Sequence, residues 1–379
     1  FTAASAYCGL APDNTHMQAA RVVQVLGGAL RTPQTLAILT SIFPAERRGA
    51  AFGVWGGVAG IATVAGPTLG GYLVTNWSWR AIFFINVPIG IVALAATFLV
   101  IPDLRSGRKH ALDIVGVALA TAGLFAIVFG LIEGQRFNWG SIWGPVTVPA
   151  LLGAGVALLV VFVLWERGQA EPLMPLSLFR NRNFALMNLV AISVSFGMLG
   201  LFLPLVIYLQ SVLGLSPLEA GLTIAPMSLV SMFVAPVAGR MADKIGGKYL
   251  LFTGSLIFAV GMGSIVLVAS PSASPWRFVG PFLVAGFGMG MLFSPMATVA
   301  MRNISPAMSG AASGVFNTFR QLGSVIGSSV VGAILQAQLA SALKLRATAA
   351  AGQVPAEFRQ RFIDGFSQAG QAGLEVGPG

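Results

Sequence analysis

Apolar runs of about 20 residues follow one another along the chain, each closed by a short polar joint. A helix of that length spans the ~30 Å hydrocarbon layer of a bilayer. The pattern predicts eleven helical segments, near 1–10, 17–43, 50–74, 79–101, 112–132, 143–165, 183–210, 217–239, 248–270, 277–301 and 309–337, the first of them partial. Because the joints are short, successive segments are expected to run antiparallel.

The third segment departs from a plain apolar run. Gly53, Gly56, Gly57 and Gly60 follow i, i+3, i+4, i+7 spacing on one helix face, and "VAGPTLGG" follows at 64–71. Interior glycine weakens a helix by about 1 kcal/mol and interior proline by about 3 kcal/mol. Between helices in lipid the hydrophobic effect supplies no attraction, and small residues let backbones approach. The expected result is a slim helix, bent at Pro67, that a neighbour approaches closely and moves against. For isolated glycines, ordinary small-residue packing is the favoured explanation.

Composition narrows the class. Of 379 residues 56% are hydrophobic and 9% charged, with a mean hydropathy of +0.83. Soluble domains carry about 25% charged residues, so the reading is an all-α, multi-pass membrane protein. The net charge of +10 does not point to nucleic acid, because the basic residues sit in the joints. One alternating set of joints holds Arg47, Arg48, Arg105, Arg108, Lys109, Arg167, Arg180, Arg182, Arg240, Lys244, Lys248 and Arg302, and the other only Arg80, Arg136 and Arg277. The richer set is read as cytoplasmic, and Trp77, Trp79, Trp139, Trp143 and Trp276 mark the outer face. A lone Cys8 and two histidines, His16 and His110, read as loop residues, offer no disulfide framework, metal centre or cofactor site. The chain opens at Phe1 inside an apolar segment and closes on polar "LEVGPG", so it is read as a piece lacking both ends. Residues 338–379 are read as an extracytoplasmic loop carrying a short amphipathic helix near 358–366.

Charges within the apolar segments cost at least ~2.5–3.5 kcal/mol on insertion scales. Arg21, Gln24, Gly28, Arg31 and Thr35 form one polar stripe, and Asn317, Arg320, Gln321 and Ser324 another. Both are expected to face a wet cavity or each other. For Arg31 and Arg320, a structural arginine satisfied by helix carbonyls stands level with a functional one. Arg31, near the middle of its segment, would favour an anionic or zwitterionic ligand. No acid falls in the middle of a segment: Asp13, Asp103, Asp113, Glu133, Glu166, Glu171, Glu219 and Asp243 all fall at joints or segment ends.

The order of residues adds a resemblance. "AGIATVAGPTLGG" resembles motif C, the antiporter signature of the major facilitator superfamily, with Ala62 where glycine is usual. "GRMADKIGGK" (239–248) is similar to motif A, with Lys244 and Gly247 where arginine is more common, and "RVVQVLGGAL" (21–30) to motif B, with Val25 for glycine. "WRAIFFINVPIG", "PLMPLSLFRNRNF" and "GAASGVFNTFRQLGSVIG" resemble the fourteen-helix drug:proton antiporters, as do two extra helices between the motif C and motif A halves.

The resemblance implies that the chain starts in helix three and stops after helix thirteen. Residues 1–101 would belong to the N-terminal bundle, 102–182 to the linker helices, 183–337 to the C-terminal bundle and 338–379 to a loop before the last helix. It further implies that Gly66, Pro67, Gly70 and Gly71 lie at the interface of the two halves. Gly239, Asp243, Lys244, Gly246 and Lys248 would form a cytoplasmic loop stabilising the outward-facing state. In that loop the glycines turn the chain, and Asp243 caps the next helix or pairs with a cation. Arg21 would take part in proton coupling, with the coupling acid in helix one, outside this chain. The implied function is export of amphipathic drugs or metabolites against protons by alternating access, from a monomer in a bacterial cell membrane. A specific metabolite exporter or an uptake carrier stays open. A receptor or complex subunit is opposed by motifs A and C, and a membrane enzyme by the lack of a His, Cys or acid cluster in the helices.

Overall fold

The computed structural model describes residues 1–44, 47–102, 113–134, 136–353, 355, 358–361 and 365, with the backbone alone at 32, 33, 60, 63–65, 67, 306 and 353. The helices are α1 Thr2–Leu10, α2 Asn14–Ile42, α3 Arg48–Asn76, α4 Ala81–Phe84, α5 Asn86–Val100, α6 Ile114–Glu133, α7 Val148–Glu166, α8 Arg182–Ile207, α9 Pro217–Ile245, α10 Gly247–Val268, α11 Val279–Met301 and α12 Ser309–Ala350. Every expected segment has its helix, the fourth being divided into α4 and α5. Among the described residues, eight helical runs are long and apolar enough to cross a membrane.

Four boundaries move, each for a local reason. α2 begins at Asn14 because Asp13 caps it, its side chain accepting the His16 amide at 2.9 Å. His16 therefore belongs to a helix start, not to a loop. Before α7 the chain forms a small antiparallel ladder, β1 Ser141–Trp143 with β2 Val146–Thr147, in place of a first helical turn. α9 continues to Ile245, so most of the stretch expected as a loop from Gly239 is helix. α12 runs 42 residues to Ala350. Residues 338–350 are rich in Ala, Leu, Lys and Arg, strong helix formers, and thinning hydropathy there was no signal of a helix end. Where an amphipathic helix is expected near 358–366, residues 359–361 and 365 are helical, and 362–364 and 366 lie outside the described residues.

Two compact units emerge. Unit one holds Phe1–Ala111, Leu176–Val190 and Ile207–Thr318, and unit two Leu112–Pro175, Ala191–Val206 and Phe319–Gly379. In unit one, α1 packs against α2, α4 and α5, and α3 lies along α9. α11 sits between α9 and α10 and is buried on most sides. Its glycines permit this: side chains on Gly286 and Gly288 would meet the backbones of Met227 and Phe258. In unit two, α6 and α7 form a hairpin. There the α12 glycines Gly323 and Gly327 lie against the backbones of Ile192 and Phe196 of α8.

Candidate functional site

The first polar cluster gathers α1, α2 and α5. Arg21 Nη1 donates to Gln24 Oε1 at 2.8 Å, and Gln24 Nε2 donates to Ser5 Oγ at 2.6 Å. Asn86 Nδ2 also donates to Ser5 Oγ, at 3.1 Å. Ser5 and Gln24 are buried, so Gln24 holds the more exposed Arg21 from one side while the Phe83 ring lies 5.6 Å from its guanidinium carbon. Sequence reasoning found Arg21 and Gln24 but missed Ser5 and Asn86. Asn86 stood in a quoted motif without a role, and Ser5 carries no sequence signal. Arg31 does not join the cluster: its guanidinium lies over the Phe1 ring at 4.9 Å.

On α12, Asn317 is buried and donates to the Ser313 carbonyl at 2.9 Å. Gln321 is exposed, and Ser324 Oγ donates to the Arg320 carbonyl at 3.2 Å. Asn317 falls in unit one, and Arg320 and Gln321 in unit two.

The second cluster is the seam between α3 and α9. Side chains placed on Gly49 or Gly239 would overlap the other residue's carbonyl oxygen. A Cβ on Gly53 would lie 2.6 Å from Pro236 Cα, one on Gly57 3.0 Å from the Met232 oxygen, and one on Gly71 3.2 Å from the Leu218 nitrogen. From α9, a Cβ on Gly221 would lie 2.9 Å from Thr68 Oγ1. Steps up α3 match steps down α9 to within one residue, so the pair is antiparallel along its length. Close approach is thus carried mainly by the earlier glycines of α3. Among Gly66, Gly70 and Gly71, only Gly71 comes against α9, because a Cβ on Gly66 or Gly70 would have nothing within 4 Å. The Pro67 side chain lies outside the described positions.

At one end of the seam the helices are tied through polar groups. Asp243 Oδ1 accepts the Gly49 amide at 2.9 Å and Oδ2 the Ala50 amide at 3.2 Å. A helix start has unpaired N–H groups and partial positive charge, so a carboxylate there is stabilised. Asp243 therefore caps α3, a helix almost 200 residues earlier in the chain, rather than the next helix. Ser294 Oγ of α11 donates to the Gly49 carbonyl at 3.3 Å. Arg48 reaches back to the last carbonyls of α2, donating to Thr40 O at 2.8 Å and Phe43 O at 3.2 Å, and across to Met301 O at 3.5 Å. Sequence reasoning used Arg48 only for orientation. Lys244 is exposed in the last turn of α9, where a cation suits the helix dipole. Gly246 alone joins α9 to α10, at φ 81° and ψ 158°, and Lys248 Nζ lies 5.6 Å from the Tyr249 ring centre.

These features define a multi-pass helical membrane protein with a glycine-lined seam latched at its basic end. A family model described as the Major Facilitator Superfamily matches residues 1–328, and the chain belongs to that superfamily. An uncharacterised MFS-type transporter of Mycobacterium tuberculosis is 39% identical over 379 residues, covering 97% of this chain and 64% of the relative. The multidrug resistance protein Stp of the same species is 34% identical over 345 residues, covering 91% and 63%. The probable actinorhodin transporter of Streptomyces coelicolor is 34% identical over 353 residues, covering 90% and 60%. The chain thus spans less than two thirds of the length of these relatives.

Proposed function

We propose that the chain forms the larger part of a secondary transporter exporting amphipathic small molecules in exchange for protons. Two helix bundles, built around 1–101 and 183–337, would rock about the α3–α9 seam to alternate access. The observation that carries this reading is the latch: Asp243 closes on the first amides of α3 through hydrogen bonds from Gly49 and Ala50. Such a tie is strong enough to bias one state and weak enough to release. The relatives named for multidrug resistance support export, and the one named for actinorhodin supports the narrower reading of a single secondary metabolite. Arg21, held by Gln24 and flanked by Phe83, is the group assigned to proton coupling. Gln24, Arg31, Asn317, Arg320 and Gln321 are assigned to the cavity wall.

The test uses the intact protein in everted vesicles holding a proton gradient, challenged with lipophilic cations and then with anionic and zwitterionic compounds. Collapse of the gradient by some compounds, lost in Arg21→Ala, is the expected result. A folded, inserted protein that collapses the gradient with none of them overturns the proton-coupled reading.

A further inference from the structure

Inside unit two, two carboxyl groups meet where α6 begins and α7 ends. Asp113 commits one oxygen to neighbouring donors: Oδ1 accepts the Gly116 amide at 2.8 Å and the Trp165 indole Nε1 at 3.1 Å. Glu166 does the same with Oε2, which accepts the Met174 amide at 3.0 Å. The other two oxygens, Asp113 Oδ2 and Glu166 Oε1, are buried and receive no donor. They border one spot, because a Cβ on Gly116 would crowd both. Glu166 is only 3% exposed. Two ionised carboxylates facing each other in such a place repel, and a single proton between them turns that repulsion into a short, charge-assisted hydrogen bond.

We propose that Asp113 and Glu166 form a proton-binding site, sharing one proton at neutral pH, whose occupancy holds the segment after α7 against the end of the hairpin. The site stands whether or not the chain exchanges protons for substrate. The asymmetry of the donors says where the proton sits. The Gly116 amide, followed by the Trp165 indole, keeps the Asp113 carboxyl below its ordinary value. Asp113 is then the ionised partner, and the Glu166 O–H donates to it. On loss of the proton to water, Glu166 becomes a second anion, and the repulsion pulls its carboxylate and the Met174 amide apart. Among the described residues, the charged groups that follow Glu166 in the chain are Arg167, just past α7, and Glu171, both exposed. The basic run Arg105, Arg108, Lys109 and His110, which precedes α6, lies outside the described residues. Gly116 has a part in the site, since any side chain there would fill the space in which the oxygens meet.

The test is an infrared pH titration of the intact protein, following the carbonyl stretch of protonated carboxylic acids, with deuterium exchange at the Met174 amide measured alongside. The wild type is expected to keep an acid band at neutral pH that Glu166→Gln lacks. In Asp113→Asn, where the neighbouring anion is gone, that band is expected to disappear at a lower pH. Met174 exchange is expected to rise as the wild-type band is lost, and in Glu166→Gln to follow only the intrinsic pH dependence of an amide. Identical neutral-pH spectra for wild type and a Glu166→Gln protein of unchanged melting temperature overturn the site. Should Glu166→Gln not fold, an Asp113→Asn band that titrates together with the wild-type band overturns it equally.

Discussion

The α3–α9 seam and the α6–α7 hairpin are both antiparallel pairs of apolar helices, and they differ in what fills the space between the backbones and in how the helix starts are satisfied. In the seam, glycines of both helices set backbone against backbone, and the first amides of α3 are satisfied by Asp243 of the partner helix. In the hairpin, Gly130 receives the end of Leu152, while Gly123 and Gly155 receive Leu159 and Ile127 and also face each other's carbonyl oxygen, 3.1 and 2.9 Å from their Cβ positions. Each hairpin helix also begins on its own cap, Asp113 for α6 and Thr147 for α7. The hairpin is complete in itself. The seam is complete only while its helices touch, since withdrawal of α9 leaves unpaired N–H groups at the start of α3. The change of state proposed above would therefore be concentrated in the seam.

That contrast can be broken in four ways. The largest effect is expected from Gly239→Val, whose side chain would enter the Gly49 carbonyl and the Ser294 hydroxyl. Overpacking against backbone should cost about 3 kcal/mol, read as a fall in melting temperature in lipid. Gly130→Val in the hairpin should cost about 1 kcal/mol, because its Cβ meets the turnable Leu152 side chain, at 2.8 Å, and no backbone of the other helix. Equal losses at the two sites would end the distinction.

Next comes Asp243→Ala, which removes two charge-assisted hydrogen bonds and should cost about 2 kcal/mol. Amide exchange should rise at Gly49 and Ala50, on a helix the substitution does not touch in sequence. Gly66→Ala should do the reverse on a smaller scale. With nothing within 4 Å, alanine adds about 1 kcal/mol of helix propensity, and the melting temperature should rise. A fall would mean that a neighbour comes against Gly66 in another state.

The smallest effect is expected at the hairpin's own cap. Asp113 is held below its ordinary carboxyl value, chiefly by the Gly116 amide. Its contribution is complete above the unfolded-state value and disappears as pH falls through the lower folded-state one. Acid should therefore speed exchange at the Gly116 amide and little else. Asp113→Asn, which keeps a capping oxygen, should remove that pH dependence.

Much of the helix framework was legible in the chain, because an apolar run of about 20 residues has few other solutions. The ends were less so. Hydropathy fades at Gly239 and again near residue 338, yet both helices continue, since helical hydrogen bonds need only tolerant residues and not apolar ones. The glycine face of α3 could be drawn from its spacing, but its partner could not: the Gly53 contact with Pro236 joins residues 183 positions apart. Arg21 with Gln24 was legible as one turn of one helix. Ser5 and Asn86, which complete that network, arrive from two other helices. Glu166 was placed at a segment end without a role, and its burial comes from the return of the chain at Met174 and from the start of α6.

Gly246 has a mechanical consequence. A 29-residue helix and a 22-residue helix reverse direction through one residue, in a backbone region open to almost nothing but glycine. A joint that short has no slack. Longer connections absorb a shift of one helix before the next one feels it, but here a displacement of α9 reaches α10 undiminished and without delay. In the proposed alternation of states, release of one carboxylate from the start of α3 would thus set two long rods moving together, with α11 packed between them.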